Sequence, residues 1–384
     1  MKRLAIITTH PIQYNAPWFR LLVQRGKIDI MVFYTWSQSA AGAKYDPGFG
    51  KMIDWDIPLL EGYPYRFVEN TATAPGTRTH MGIVNPTLIN EIEQYKPDAV
   101  LVSGWNFKSH LACMRHFHKK IPVLFRGDST LIDQEGMLRG IMKRIVLRSI
   151  FRNIDKALYV GSANRRYFKR YGLKDKQLVY TPHAIDNNRF ASKHETALDL
   201  RGMFAIPPGD IIYLFAGKFE EKKDPLLLLD AFTRMNNKHT HLVFAGNGKL
   251  ESDLKAKAAG HSRVHFMDFQ NQSAMPALYQ QADIFVLPSK GPGETWGLAV
   301  NEAMAAGLPV IVSQACGCAE DLVLEGENGF SFPPGNGKLL QERMTYMATK
   351  REELSRMGKR SREIIAGFTF EKIASSIEEV VTTC

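Results

Sequence analysis

The chain has 384 residues, a formal net charge of +10, 45% hydrophobic residues and 23% charged residues. This length exceeds one ordinary hydrophobic core, and the composition excludes a disordered or fibrous chain. No window approaches the roughly 20 apolar residues of a membrane span, and the apolar run after Met1 predicts a first strand rather than a signal peptide. Cysteines without metal-ligand or disulfide spacing predict a reducing cytoplasm, and the positive charge predicts anionic partners.

The first half of the chain alternates short apolar runs with helical patterns, as α/β proteins do. The runs predicted to be buried parallel strands are residues 4–7, 30–33, 99–102, 123–125 and 157–160. Residues 41–82 interrupt this rhythm with many glycine, proline and aromatic residues. We expect a short hairpin there, and a mobile loop over a cleft.

The same rhythm resumes in the second half. Its predicted strands are residues 211–215, 242–244, 264–266, 284–287 and 310–312. The polar stretch between the halves predicts a linker. We therefore expect a first domain at residues 1–186, a linker at 187–208, a second domain at 209–366 and a final helical segment at 367–384. Both domains are expected to be doubly wound and to face each other across a cleft.

The final helix is predicted from its cap and its apolar spacing. Thr369 is the expected N-cap, and Glu371 lies in the first turn, where a negative charge is favourable. The apolar positions that follow repeat at helical spacing up to Val381.

The stretch "FAGKFEEKKDPLLLLDAF" predicts a strand that ends at Gly217 and a helix that begins at Asp224 and Pro225. Lys218 and Lys223 lie on the connecting loop. In open parallel sheets, ligands bind beyond the carboxyl ends of the strands. Two ammonium groups beside the positive end of a helix suit a diphosphate. A solvated charged loop explains this stretch equally well.

The stretch "LPSKGPGETWGLAVNEAMAAGLPVI" predicts a strand, a flexible loop and a helix that starts at about Trp296. Amides of Trp296, Gly297 and Leu298 at the helix start can hold phosphate oxygens. Glu302 lies inside this apolar helix, where an unpaired charge would be costly, and can accept hydrogen bonds from ribose hydroxyls. Glu294 lies on the loop and can accept from hydroxyls of a sugar beyond the phosphates.

These residues resemble the retaining family-4 glycosyltransferases. The family motif is two glutamates separated by seven residues, which Glu294 and Glu302 match, and the segment from Gly217 to Lys223 is similar to the family's Gly-Arg-x-x-x-x-Lys diphosphate clamp. The segments "AGNGKLESDL", "QQADIFVLPS" and "ENGFSFPPGN" also resemble family signatures in the same order. The resemblance covers most of residues 178–366.

The resemblance implies a GT-B fold with two Rossmann-like domains, and a last helix that packs back on the first domain. It also implies that Glu302 binds the ribose of the donor, that Glu294 binds the donor sugar, and that Lys218 and Lys223 neutralise the leaving diphosphate. The resemblance further implies that no metal is needed, and that a UDP- or GDP-sugar binds as a substrate, without a cofactor.

The chain departs from the family pattern at several positions. Lys218 replaces an arginine, which keeps the charge but loses a planar two-point grip on phosphate. Asp268 stands where the family often has glycine near the base. The first loop, "THPIQYNAP", lacks glycine, and the middle strand ends in "VLFRGDST" without the usual histidine.

Acceptor-side candidates in the first domain follow from these loops. Asp128 is favoured as a cleft residue near the acceptor, with a turn or N-cap aspartate as the alternative. His10 is a second candidate, and a structural hydrogen bond explains it equally well.

Two further motifs receive structural interpretations. Asp54 and Asp56 have the spacing of a metal-binding pair but lie in the predicted hairpin region, which favours a solvated turn. Cys316 and Cys318 are too close in sequence for a redox pair or a usual zinc site.

Residues 137–154 carry several arginines and lysines and no acidic residue. Leu138, Ile141, Met142 and Ile145 are predicted to share the opposite, apolar face of a helix. Such a helix can lie on an anionic membrane, or it can pack on the core with a solvated basic face. The lipid-linked acceptors of similar enzymes favour the membrane.

The sequence therefore predicts a hexosyltransferase that is retaining and metal-independent. It would move sugar from a nucleotide-diphosphate sugar to a glycan or lipid-linked acceptor in cell-surface polysaccharide or glycolipid synthesis. The enzyme is expected to be cytoplasmic and peripheral on the membrane, without nucleic acid as a partner. The alternatives are a sugar-nucleotide epimerase of the same fold and a non-catalytic nucleic-acid-binding protein. The nucleic-acid alternative leaves the arrangement of Glu294 and Glu302 unexplained.

Overall fold

The computed structural model describes residues 1–40, 44–46, 48–132, 137–192 and 198–383. The chain divides into two compact units. The first unit comprises Met1–Lys44, Pro58–His183 and Phe370–Cys384, and the second comprises Tyr45–Ile57 and Ala184–Thr369.

The strands are, in chain order, β1 (Arg3–Thr8), β2 (Asp29–Tyr34), β3 (Lys44–Asp46), β4 (Lys51–Ile53), β5 (Tyr65–Phe67), β6 (Ala99–Ser103), β7 (Val123–Arg126), β8 (Lys156–Tyr159), β9 (Leu178–Tyr180), β10 (Ile211–Ala216), β11 (Thr240–Ala245), β12 (Val264–Met267), β13 (Ile284–Leu287), β14 (Val310–Ser313) and β15 (Gly329–Phe332).

The α-helices are α1 (Ala16–Arg25), α2 (Leu88–Tyr95), α3 (Lys108–Phe117), α4 (Met137–Phe151), α5 (Ser162–Arg170), α6 (Asn187–Ala191), α7 (Leu200–Met203), α8 (Pro225–Arg234), α9 (Glu251–Lys257), α10 (Met275–Gln280), α11 (Leu298–Ala306), α12 (Ala319–Leu322), α13 (Gly337–Thr349), α14 (Arg351–Ile365) and α15 (Phe370–Thr383).

The first unit is built on a parallel sheet in the order β5-β2-β1-β6-β7-β8-β9. Its central strands are apolar on both faces because helices cover both sides of a parallel sheet. In β1, for example, Ile6 is in register with Val32 on one side and with Leu101 on the other. The strands predicted from the first half of the chain are confirmed.

The second unit has a parallel sheet in the order β12-β11-β10-β13-β14-β15. Every strand predicted from the second half of the chain is present in it. Strand β10 lies between β11 and β13, so the connections leave it towards opposite edges. Ligands bind at such a switch point, beyond the carboxyl ends of the strands. Residues that follow β10 and β13 are therefore placed where a ligand is expected.

The unit boundaries differ from the domain ranges expected from the sequence. Residues 45–57 belong to the second unit although they precede most of the first, and they include the second strand of the two-stranded β3–β4 sheet. The expected linker at 187–208 contains α6 and α7, while its residues 193–197 lie outside the described part of the chain. The cleft expected between the domains stays a prediction.

The last helix, α15, belongs to the first unit and packs against α1. It starts at Phe370, one residue after the expected cap, and Glu371 lies in its first turn. Glu378 is 3% exposed, and its two carboxylate oxygens accept hydrogen bonds from the Arg25 guanidinium at 2.7 and 2.8 Å. A bidentate pair of this kind fixes α15 to α1 with defined geometry.

The described residues of the apolar face predicted for helix α4 are exposed. Ile141, Met142, Ile145 and Val146 are 53%, 68%, 66% and 49% exposed. The buried stripe is instead Leu147, Ile150 and Phe151 with the following Ile154. Apolar residues thus occur on two faces of this helix, one buried in the core and the other exposed. The side chains of Met137, Leu138 and Arg139 lie outside the described residues. No helix in the described part of the chain has the length and hydropathy to cross a membrane.

Candidate active site in the second unit

The carboxyl ends of β10, β11 and β12 are joined closely by backbone contacts. The carbonyl oxygen of Gly217 would lie 2.0 Å from a Cβ at Gly246, which also has a positive φ of 143°. Only glycine allows this approach of two strand ends. The Asn247 side chain donates to Asp268 at 2.9 Å and accepts from the Phe269 amide at 2.8 Å. These contacts explain the "AGNG" sequence and place Asp268 beside the strand ends.

Lys223 and Glu294 form a close and largely buried ion pair. The Lys223 ammonium lies 2.6 Å from a Glu294 carboxylate oxygen, and the two side chains are 14% and 9% exposed. The hydroxyl of Ser289 donates to the same carboxylate at 3.2 Å. Burial alone would lower the pKa of Lys223, but the adjacent Glu294 charge outweighs it and the pKa is raised. Lys223 is therefore held as a cation where β10 and β13 end.

Lys218 is paired with a different carboxylate. Its ammonium lies 2.9 Å from both carboxylate oxygens of Asp46 and 5.0 Å from the centre of the Phe49 ring. Burial would raise the pKa of Asp46, but Lys218 and the amides of Gly48 and Phe49 outweigh that effect and lower it. The structure thus gives each predicted diphosphate-binding lysine its own carboxylate partner.

The start of α11 differs from its predicted position. The helix begins at Leu298, with Gly297 as N-cap at a φ of 104°, so Trp296 precedes it. The Trp296 indole N–H donates to Asn301 at 2.8 Å, and the Trp296 carbonyl accepts from the Cys318 amide at 3.1 Å. These contacts position the loop that carries Glu294 directly before the helix start.

Glu302 is 3% exposed within α11, where its charge needs a partner. The hydroxyl of Tyr279 on α10 donates to its carboxylate at 2.9 Å. This hydrogen bond satisfies one of the two carboxylate oxygens of Glu302. The expected ribose contact of Glu302 stays a prediction.

In the first unit, Asp128 lies beside a histidine that the sequence reasoning missed. His183 Nε2 is 3.6 Å from an Asp128 carboxylate oxygen. The neighbouring Arg126 donates to the Thr181 carbonyl at 2.8 Å, and burial lowers its pKa to about 10. Burial also lowers the pKa of His183, although Asp128 opposes this shift. His183 follows β9, which was not predicted as a strand. The position of His183 at this edge of the sheet therefore could not be inferred from the sequence.

His10 follows β1 at the same edge of the first sheet. Its Nδ1 lies 2.9 Å from the Thr9 hydroxyl, and its ring meets the Trp36 ring edge-on at 5.5 Å. The hydrogen bond to Thr9 is of the kind expected if His10 has a structural role, and an acceptor role for His10 stays a prediction.

A comparison with protein families identifies part of the chain. Residues 199–364, which include Gly217, Lys218, Lys223, Glu294 and Glu302, match the model described as Glycosyl transferases group 1. The match covers less than half of the chain, and residues 199–364 are therefore similar to this family; we refer to them as the group 1 domain. Every residue predicted to bind the donor lies in this domain.

Curated relatives extend the similarity beyond the group 1 domain. The sulfoquinovosyl transferase SQD2 of Arabidopsis thaliana is 24% identical over 287 residues, which are 73% of this chain and 55% of the relative. A GDP-mannose-dependent alpha-(1-6)-phosphatidylinositol dimannoside mannosyltransferase of Mycobacterium tuberculosis is 26% identical over 59% of this chain and 57% of the relative. The chain thus spans little more than half the length of these relatives.

Solved structures share the fold. The structure of Anabaena HepE in complex with UDP has a TM-score of 0.73 and 17% identity, and the match covers 100% of both chains. The predicted fold class, two Rossmann-like domains of the GT-B type, is confirmed.

The two aspartates and the two cysteines that the sequence did not assign to a metal or redox site have structural surroundings in or near the group 1 domain. Asp56 lies exposed on a bend and accepts hydrogen bonds from the amide and hydroxyl of Ser273, so this solvated segment also fixes a loop. Cys316 and Cys318 are buried thiols. Among the described residues, no group of three or more His, Cys, Asp or Glu side chains is arranged to hold a metal ion.

Proposed function

We propose that the protein is a retaining, metal-independent hexosyltransferase that moves a sugar from a UDP- or GDP-sugar to a hydroxyl of a glycan or lipid-linked acceptor. Its product would belong to a cell-surface polysaccharide or glycolipid. The name of the mycobacterial relative includes GDP-mannose and a phosphatidylinositol dimannoside, and the HepE structure holds UDP; both support this choice of acceptor and donor.

One observation carries the proposal. In the group 1 domain, the ammonium groups of Lys218 and Lys223 follow the carboxyl end of β10. The start of α11 follows the adjacent strand β13, and Glu294 lies on the loop between β13 and α11, paired with Lys223. A diphosphate needs concentrated positive charge and backbone N–H donors, and this arrangement offers both. The spacing of Glu294 and Glu302, shared with retaining enzymes, supports retention of configuration.

The proposed reaction uses these groups to stabilise the leaving diphosphate. Lys218, Lys223 and the amides at the start of α11 would offset the charge that develops as the bond from the sugar carbon to the phosphate oxygen breaks. The acceptor oxygen would form its bond to that carbon on the same face. The departing phosphate oxygen would take the acceptor's proton, so no separate side-chain base is required.

In the first unit we assign the acceptor side to Asp128, with His183 beside it, and retain His10 as a second candidate. The carboxylate of Asp128 is partly exposed and can accept a hydrogen bond from an acceptor hydroxyl.

Release of nucleoside diphosphate from a panel of UDP- and GDP-sugars, with and without membrane lipid extract, tests the proposal. Lipid-stimulated release from one donor is the expected result, and Glu294→Gln should reduce it at least about a hundredfold. Glu342→Gln, which removes an exposed carboxylate from the same domain, is the matched control and should keep full activity. A folded protein that neither releases nor binds any nucleoside diphosphate would contradict the proposal.

We also propose that the enzyme is peripheral on an anionic, cytoplasmic membrane surface, which it meets through α4. The exposed Ile141, Met142 and Ile145 offer an apolar surface on this helix. In the same unit there is a surface cavity of about 560 Å³ that is lined mainly by residues of α5. Four of its lining residues are cationic, and the full lining is Leu131, Ser162, Arg165, Arg166, Lys169 and Arg170. Apolar side chains that enter the acyl boundary and cations that attract anionic headgroups are the two contributions to interfacial binding.

Vesicle sedimentation tests this membrane proposal. Binding to phosphatidylglycerol vesicles, but not to phosphatidylcholine vesicles, is expected. The double change Met142→Glu and Ile145→Glu should weaken that binding about tenfold or more. Met203→Glu alters an exposed methionine of the second unit and should leave binding unchanged. Equal binding of all variants, or no binding to anionic vesicles, would contradict the proposal.

A further inference from the structure

Residues 45–57, which lie between β2 and β5, belong to the second unit, although both strands belong to the first. We call Asp46 together with residues 48–57 the strap. One end of the strap is fixed where Ser273 donates to the Asp56 carboxylate at 3.1 and 3.2 Å, and Asn271 donates to the Asp54 carbonyl at 2.6 Å. The strap is thus attached to the loop that follows β12.

The middle of the strap packs on aromatic surface at the carboxyl end of β12. Phe49 meets the Phe269 ring edge-on at 4.7 Å, and Trp55 approaches the same ring at 6.3 Å. Phe269 lies just beyond β12, whereas Lys218 lies just beyond β10, and β11 separates the two strands. The strap therefore reaches two points of the sheet edge at which a ligand of this domain is expected.

The other end of the strap occupies Lys218. Both carboxylate oxygens of Asp46 lie 2.9 Å from the Lys218 ammonium, as two oxygens of a phosphate would. A Cβ at Gly48 would lie 2.5 Å from Lys218 Cδ, so the strap backbone rests directly on the lysine side chain. The amides of Gly48 and Phe49 donate to the same carboxylate at 2.7 and 3.2 Å. Asp46 is therefore held as an anion against this cation.

We propose that Asp46 competes with the donor diphosphate for Lys218 and so sets the affinity of the domain for its nucleotide. This inference rests on the proposed function, in which Lys218 binds the diphosphate. A diphosphate that reaches Lys218 is repelled by Asp46, and water can solvate the released carboxylate of this partly exposed pair, so the ligand is expected to displace Asp46. The pair is about 30% exposed, with 31% for Lys218 and 29% for Asp46, so its replacement by a ligand phosphate costs little.

Nucleotide affinity of Asp46→Asn tests the competition. Asparagine keeps the side-chain oxygen that accepts from Gly48 and Phe49 but removes the charge. UDP or GDP, whichever binds to the unchanged protein, should bind about two- to fivefold more tightly in isothermal titration, the range expected for loss of a partly exposed ion pair. Asp54→Asn removes an equal charge from an exposed strap position and should leave the dissociation constant unchanged.

A second background shows whether the effect acts through Lys218. In Lys218→Met, nucleotide binding should weaken, and adding Asp46→Asn should no longer tighten it. Unchanged or weaker binding in Asp46→Asn alone would overturn the inference, since Asp46 would then orient Lys218 rather than compete for it. Failure of the unchanged protein to bind UDP, GDP or ADP would instead overturn the proposed function, so the two failures are distinct.

Discussion

Replacing Glu294 by glutamine should destabilise the second unit as well as reduce activity. At the 2.6 Å separation of Lys223 and Glu294, the attraction is about 6 kcal/mol at an effective dielectric constant of about 20. Desolvation of both charges offsets much of it. Glutamine leaves Lys223 desolvated without a compensating charge, although its carbonyl can still accept a hydrogen bond worth about 1 kcal/mol. We expect a net loss of about 2 kcal/mol at pH 7.

The pH dependence of this loss identifies its cause. In the unchanged protein the pKa of Lys223 is raised, so the stabilisation is fully present below the ordinary lysine pKa of 10.5 and is lost as the pH rises through the folded value. With Glu294 neutralised, burial dominates and the pKa of Lys223 falls below that ordinary value. The variant is destabilised less once Lys223 is deprotonated, so its stability deficit relative to the unchanged protein should narrow as the pH rises towards about 10.

Urea unfolding followed by tryptophan fluorescence, with the transition of the second unit analysed separately, measures the loss. In thermal unfolding, about 2 kcal/mol corresponds to a decrease of about 4–8 °C for a unit of this size. The double variant Lys223→Met with Glu294→Gln should be more stable than Glu294→Gln alone, because it leaves no buried unpaired charge. A stability loss that is independent of pH, or additive effects of the two changes, would refute the reasoning.

Two further predictions concern the first unit. Arg25→Ala should lower the free energy of unfolding of this unit, measured by urea titration, by about 2–3 kcal/mol, because Glu378 would remain buried without its bidentate partner. The control Lys27→Ala removes a mostly exposed cation 3.6 Å from Glu378 and should cost about 0.5 kcal/mol or less. Burial lowers the pKa of His110 to about 4, so the unfolded chain binds a proton first as the pH falls from about 6.5. The first unit should lose up to about 3 kcal/mol between pH 6.5 and pH 4, and His110→Gln should remove that part of the slope; an unchanged slope would contradict the assignment.

The central strands of both sheets could be predicted because each is an unbroken apolar run buried on both faces. The strands that were missed lie at sheet edges or carry polar and glycine residues. Strand β9 is only half-buried along its length, and β15 contains Gly329 and Ser331. A pattern that depends on burial weakens where burial is partial. Because β9 was missed, His183 could not be placed next to Asp128 from the sequence.

The positions of the residues predicted to bind the donor could be read from the sequence, but their partners could not. Spacing placed Lys218, Lys223 and Glu294 beyond strand ends, since turn and cap residues mark those ends in the sequence. It could not indicate that Lys223 pairs with Glu294, since both were expected to face the ligand. Nor could it connect Asp46 with Lys218, because the two residues are separated by most of the first unit in the sequence. Long-range pairs of this kind depend on the packing of loops, which has no periodic signal.

The two ion pairs are expected to respond differently to an anionic ligand because their burial differs. Breaking the Lys223–Glu294 pair would leave a nearly buried charge without a partner, so this pair should persist, with Lys223 contacting carboxylate and phosphate together. The Lys218–Asp46 pair is about 30% exposed, with 31% for Lys218 and 29% for Asp46, so water can solvate the released carboxylate and exchange of partners is favourable. A nucleoside diphosphate should therefore bind by displacing Asp46 while Glu294 stays in place. Its affinity should then depend on the charge of Asp46, whereas the stability of the unit depends on the charge of Glu294.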